Sequence, residues 1–251
     1  MKIRNLLLLL LPLLVVLSSC DELGSGLTET EIVAGLKEAL QVGAETSVAT
    51  VNKTDGYFNN PLLKIPFPED VLFVEDALSN LTILGQPVGQ TAVDAFVLKL
   101  NRAAENAAIQ AKPIFLNAIS GMTITDGLNI LMGADDAATG YLRTNTYDNL
   151  KTTFQPDIQN SLDAVGAQVA WNEVSTLYNT VSSTPANTDL ADHTTKKALN
   201  GLFTLITAEE LKIRTDVGYR VSDLLKKVFA EQDLSLIHIS EPHETSLHLV
   251  C

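Results

Sequence analysis

The chain has 251 residues, 46% hydrophobic and 19% charged, with 30 acidic against 17 basic residues and a formal net charge of −13. That balance argues against nucleic acid as a partner, because phosphate binding draws on clustered cations that release counterions. The only adjacent basic pairs are Lys196-Lys197 and Lys226-Lys227, each beside helical apolar residues, and two cysteines cannot build a disulfide framework.

The N-terminal segment has the three-part build of a secretory signal, with Lys2 and Arg4 ahead of an apolar run from Leu6 to Leu17 broken only by Pro12. The run is too short to cross a bilayer, which takes roughly 20 apolar residues. Leu17-Ser18-Ser19-Cys20 resembles the lipobox of bacterial lipoproteins. The resemblance implies cleavage after residue 19, acylation of Cys20 with palmitate-type chains, and a mature protein anchored to a membrane rather than spanning it. The expected address is the bacterial cell envelope: the periplasmic face of the inner or outer membrane, or the cell surface.

Residues 20–27 are read as the lipidated cysteine and a short Gly/Ser-containing tether. Thr28-x-x-Glu31 then forms a capping box and starts a first helix, with Ile32, Val33, Leu36, Leu40 and Val48 at helical spacing up to the turn Thr54-Asp55-Gly56. Tyr57 to Pro68 is a connector rich in proline and aromatic residues, because each proline biases its predecessor away from helix. A second helix is expected from Pro68 to about Leu84. A third carries the clearest seam, through Val93, Val97, Leu100, Ala104, Ala107, Ala111, Ile114 and Ala118, with a kink expected at Pro113.

Further helices are expected at Ile124–Met132, Asp136–Arg143, Tyr147–Val165, Ala167–Val181, Thr195–Arg214 and Ser222–Phe229, with a loop at Ser182–Asp189. No long alternating β pattern appears in the sequence. The reading is an all-α fold, a single-domain bundle of about seven to nine helices over residues 28–233.

Leu234 to Pro242 resembles a translated sequencing-library adapter, so 234–251 is expected to be read-through rather than native sequence. His238, His243, His248 and Cys251 would otherwise suggest metal ligands. No metal and no cofactor are expected, since the sequence has no P-loop, dinucleotide glycine fingerprint, cysteine zinc motif or H-E-x-x-H.

Five segments carry a family resemblance: Gly35-Leu36-Lys37-Glu38-Ala39-Leu40; Gly56-Tyr57-Phe58-Asn59-Asn60-Pro61 with Lys64-Ile65-Pro66; Leu100-Asn101-Arg102-Ala103-Ala104-Glu105; Ala137-Ala138-Thr139-Gly140-Tyr141-Leu142-Arg143; and Lys197-Ala198-Leu199-Asn200-Gly201-Leu202-Phe203. Together they resemble a family of exported bacterial proteins known as domain of unknown function 4197. The resemblance implies a helical envelope protein and transfers no catalytic residue.

Several side chains are candidates for a polar pocket. Arg102 and Glu105, with Asn101 beside them, sit three apart on a helix otherwise poor in charge, either lining a pocket or forming an ordinary i,i+3 pair. Arg143 is read either as a fork for an anionic ligand or as a cap for helix C-terminal carbonyls. His193 beside Asp192 is read either as a general base or as a surface residue preceding an N-cap threonine. Asp135-Asp136 are read either as oxygen ligands for a hard cation, without the spacing of an EF-hand, or more simply as capping residues at a helix start. Tyr57, Phe58 and Lys64 form a candidate docking patch, unless the connector plugs the end of the bundle.

Two readings of function follow. The first is a non-enzymatic module that binds an envelope protein, an envelope polymer or a small-molecule ligand. The alternative is a hydrolase-like enzyme using Arg102, Glu105, Arg143 and His193, which requires those side chains to converge on one concave pocket. Lipid carriage would instead need a continuous apolar cavity, and the alanine-rich third helix favours tight packing.

Overall fold

The computed structural model describes residues 27–230, apart from 181, 183, 185 and 187. The signal segment, Cys20 and the tail from Leu234 lie outside the described residues. Within them the fold is all-α: α1 (Glu29–Val51), α2 (Leu72–Leu78), α3 (Val88–Ala107), α4 (Ala111–Ser120), α5 (Ile124–Leu131), α6 (Ala137–Ala164), α7 (Ala167–Asn179) and α8 (Leu190–Thr215). A further helical stretch, α9, covers 223–230.

The first helix starts where its capping residues dictate. Thr28 Oγ1 accepts from the Glu31 amide at 3.2 Å, and Glu31 Oε2 accepts from the Thr28 amide at 2.8 Å. At the other end Asp55 turns the chain with φ of 67°. Gly56 follows at a point where a Cβ would stand 2.5 Å from the Val51 carbonyl oxygen, so the turn closes only around a residue without a side chain.

The expected second helix is shorter than its pattern. A 3-10 turn at Glu69–Val71 leads into α2, which ends at Leu78. The chain then forms a two-residue turn with φ of 53° at Leu84 and 77° at Gly85, bridged between Ile83 and Gln86. Two successive positive φ values define the tight hairpin turn that apolar periodicity cannot reveal.

The third helix runs from Val88 and is interrupted by a 3-10 turn at Ala108–Gln110. Pro113 thereby falls in the first turn of α4, where its missing N–H costs nothing. The tighter turn also rotates the seam. Val93, Val97, Leu100, Ala104, Ala107 and Ala111 are buried as expected, but beyond the break Phe115 and Ile119 are buried in place of Ile114 and Ala118.

The two helices expected at 136–143 and 147–165 are one. In α6, Leu142, Thr146, Leu150, Phe154, Ile158 and Leu162 form an unbroken buried stripe. The polar residues that read as a break bond back to their own helix, Asn145 Nδ2 to the Tyr141 carbonyl at 2.8 Å and Thr146 Oγ1 to the Leu142 carbonyl at 2.6 Å.

Side-chain contacts fix the packing directions. Lys37 bonds Ser120 and Lys112 pairs with Glu45, so α1 and α4 are antiparallel. Arg143 bonds Asn200 and Lys151 pairs with Asp192, so α6 and α8 are antiparallel as well. The α3–α4 rod and α6 therefore run through two halves. In the near half they pack with α1, α5, α8 and α9, and in the far half with α2 and α7. The far core centres on Phe67, Phe96 and Trp171, with ring centroids 5.4 to 6.0 Å apart, and the near core on Phe115 against Phe203 at 5.7 Å. The connector crosses the waist between the halves. No single described helix is long and apolar enough to cross a membrane.

Candidate functional site

At the waist, one face of α3 carries Asn101, Arg102 and Glu105, and the connector is laid across it. Asn101 is fully buried and acts as a substitute strand. Its Oδ1 accepts from the Ile65 amide at 2.8 Å, and its Nδ2 donates to the Ile65 carbonyl at 2.9 Å. Glu105 Oε1 accepts from the amides of Tyr57 and Phe58, both at 3.2 Å, while Oε2 accepts from Arg102 Nη1 at 2.6 Å. Arg102 reaches Asp55 Oδ1 with its other nitrogen at 2.6 Å, and the two carboxylates push the guanidinium pKa up. A buried carboxylate holding two backbone amides and one arm of an arginine satisfies groups that would otherwise be stranded without water.

Tyr57 is buried rather than displayed. It donates from its hydroxyl to the Ala198 carbonyl at 2.8 Å, and burial, with Glu105 nearby, raises its pKa above the ordinary phenol value. The docking patch expected from Tyr57, Phe58 and Lys64 is therefore reduced to two residues, since the connector needs the tyrosine as its plug into α8. Phe58 is half-buried between two cations, with Lys64 Nζ 4.6 Å and the Arg102 guanidinium 5.7 Å from its ring centroid.

The remaining candidates lie elsewhere. Arg143 is mid-helix, so it caps no C-terminus. It donates to Asn200 Oδ1 at 2.7 Å and lies over Tyr147 and Phe203 at 5.3 and 5.1 Å. His193 is half-buried, with Nε2 3.1 Å from the Pro66 carbonyl oxygen, and burial lowers its pKa. Asp192 holds Lys151 at 3.0 Å and Lys196 at 2.6 Å, not the imidazole. No N-cap threonine follows the histidine. Asp189 caps α8, accepting from the Asp192 amide at 2.9 Å, and Thr194 and Thr195 are buried within the helix. The structure thus brings Arg102 and Glu105 together and leaves Arg143 and His193 apart from them and from each other.

A second buried polar cluster was not foreseen. Glu210 of α8 accepts from the first-turn amides of α6, Ala138 at 2.9 Å and Thr139 at 2.7 Å, as well as from Thr139 Oγ1 at 2.7 Å and Arg214 Nε at 2.9 Å. It does the work expected of Asp135-Asp136, since Asp136 stands at the N-cap position without a side-chain cap bond. Arg214 also donates to the Ile130 carbonyl at 3.0 Å, fastening α5 to α8. The signal was present in the sequence, because Glu210 interrupts the apolar spacing of Ile206 and Ile213. The cleft beside it, lined by Leu36, Leu40, Ile206 and Phe229 among others, spans about 300 Å³ including space open to solvent, of which only about 10 Å³ admits the centre of a water molecule. That is room for roughly one water. Among the described residues no group of three or more His, Cys, Asp or Glu side chains is placed to hold a metal ion.

An all-α bundle whose buried charges are bonded to its own backbone is a scaffold in which the polar interior organises the fold. The chain belongs to the family described as Protein of unknown function (DUF4197), whose model matches residues 26–230. Comparison with curated proteins and with solved structures yields no match.

Proposed function

We propose that this is a lipid-anchored protein of the bacterial envelope, held to its membrane through Cys20, whose helical body is a binding module for another envelope component and not an enzyme. The observation that carries the module reading is the use made of Glu105. Its carboxylate is occupied by two connector amides and Arg102, so the most enzyme-like cluster of the chain is committed to holding the waist.

Two further placements support the same reading. The hydrolase alternative needs Arg143 and His193 at that site, whereas one stacks on Phe203 and the other contacts Pro66. The cleft beside Glu210 is too small for an acyl chain, and the larger depressions, such as the one lined by Ala92, Val169 and Leu177, are open to solvent rather than enclosed, which speaks against lipid carriage.

The anchor is tested by labelling with radioactive palmitate. The intact chain is expected to incorporate label and sediment with membranes, and Cys20→Ala to do neither. A Cys20→Ala chain that sediments as before overturns the anchor. The module is tested by affinity capture of the acylated protein from solubilised envelopes beside an unrelated lipoprotein. A component enriched only by this protein is expected, and no enrichment over the control overturns the binding reading.

A further inference from the structure

We infer that one pole of the bundle, carrying Met132, Val217, Tyr219 and Val221, rests in the headgroup layer of the bilayer that holds the acyl anchor. The inference depends on the lipid-anchored reading above and adds to it the orientation of the body on the membrane.

The start of α1, the ends of α4 and α8 and the start of α6 meet at this pole, as the Lys37–Ser120 and Glu210–Ala138 bonds require. Across it lies α5, turned by 103° from the α3–α4 rod and tied down by the Arg214–Ile130 bond. Four large apolar side chains stand outward there: Met132 is 82%, Val221 68%, Val217 56% and Tyr219 46% exposed.

The segment that carries three of them is inverted relative to an ordinary water-facing turn. Arg220 is buried, donating from Nε to the Ile213 carbonyl at 3.0 Å and from Nη2 to the Arg214 carbonyl at 2.8 Å, while its apolar neighbours face out. The cation is thus spent on closing the end of α8, and the valines and tyrosine are fixed outside on a pinned backbone. Tyr219, with Lys212 Nζ 5.3 Å from its ring centroid, has the amphipathic character of an interfacial aromatic residue.

Chain length selects the bilayer as the occupant. From Cys20 to Thr28 the backbone reaches at most about 29 Å when fully extended. The rod from Val88 to Ser120 is roughly 50 Å long at 1.5 Å per residue. The exposed apolar residues of the far half, Phe73 and Leu84 among them, therefore lie beyond the tether when the body stands on its near pole. Exposed Asp135, Asp136 and Asp216 stand at that pole, while Lys226 pairs with Asp223 and Lys212 with Glu209, so the pole carries no unopposed basic cluster, which points to neutral headgroups and shallow apolar insertion rather than attraction to anionic lipid.

The test uses the acylated full-length chain in phosphatidylcholine vesicles with brominated acyl chains, which quench nearby tryptophan. Tyr219→Trp is expected to lose emission relative to unbrominated vesicles, and Phe73→Trp on the far half to keep it, over the constant background of buried Trp171. Adding Val217→Asp and Val221→Asp to the Tyr219→Trp chain is expected to abolish the quenching while the anchor keeps the protein on the vesicles. Unquenched Tyr219→Trp on protein that still sediments overturns the inference and leaves the anchor standing. Equal quenching of Phe73→Trp overturns it too, since the body then lies flat. Failure of the anchor registers separately, as a chain that takes up no palmitate.

Discussion

Glu105 shows how one carboxylate fixes the course of a loop. It is 3% exposed, and its two oxygens serve the backbone of Tyr57 and Phe58 and the side chain of Arg102. Truncation by Glu105→Ala leaves the buried Tyr57 amide and the partly buried Phe58 amide without that acceptor and the arginine with Asp55 alone. The expected loss of stability is about 3 kcal/mol, in the range measured for breaking buried pairs, and a lowered urea midpoint would record it; an unchanged midpoint would mean that the connector holds without this clamp. The Arg102–Glu105 pair was visible in the sequence because two charges three apart stand out on a charge-poor helix. Its partners were not, since Asp55, Tyr57 and Phe58 lie nearly fifty positions away and nothing local to α3 points to them.

Helix boundaries were legible where the stop or start is chemical and local, and illegible where packing decides. Thr28 with Glu31 marks the start of α1, and the same device at Thr123, bonded to the Asp126 amide at 3.2 Å, marks α5. The continuity of α6 and the shifted seam of α4 depend instead on what lies opposite, which periodicity does not encode. At α8 the helix extends past its expected start and takes Thr194 and Thr195 into the core with hydroxyls that have no partner among the described residues. Thr195→Val keeps the shape, removes a desolvated hydroxyl and leaves helix propensity nearly unchanged. The expected gain is about 1 kcal/mol, or roughly 2–4 °C in a domain of this size, read from a thermal melt; a drop in the midpoint would show that the hydroxyl is satisfied.

At the scale of the molecule, all-α character followed from the absence of alternating patterns and the abundance of three- and four-residue apolar spacing. The two-halved arrangement did not, because it arises from which long helices are shared. Since the α3–α4 rod and α6 each belong to both halves, neither half has a complete core alone, and unfolding is expected to be a single cooperative step. Trp171 reports only on the far half, so its fluorescence and the far-UV circular dichroism of the whole chain should give the same urea midpoint; separated transitions would show that the halves unfold independently.

The pairing of α1 with α8 has a consequence for how the protein is made. The first helix among the described residues finds part of its cover on a surface translated more than a hundred and fifty positions later, as the cleft shared by Leu36, Leu40, Ile206 and Ile213 shows. Until then α4 and α5 cover only part of its apolar stripe, and the part that awaits α8 stays exposed, a condition that slows maturation and invites clumping. A contact of that sequence separation closes late, after the intervening helices have been made.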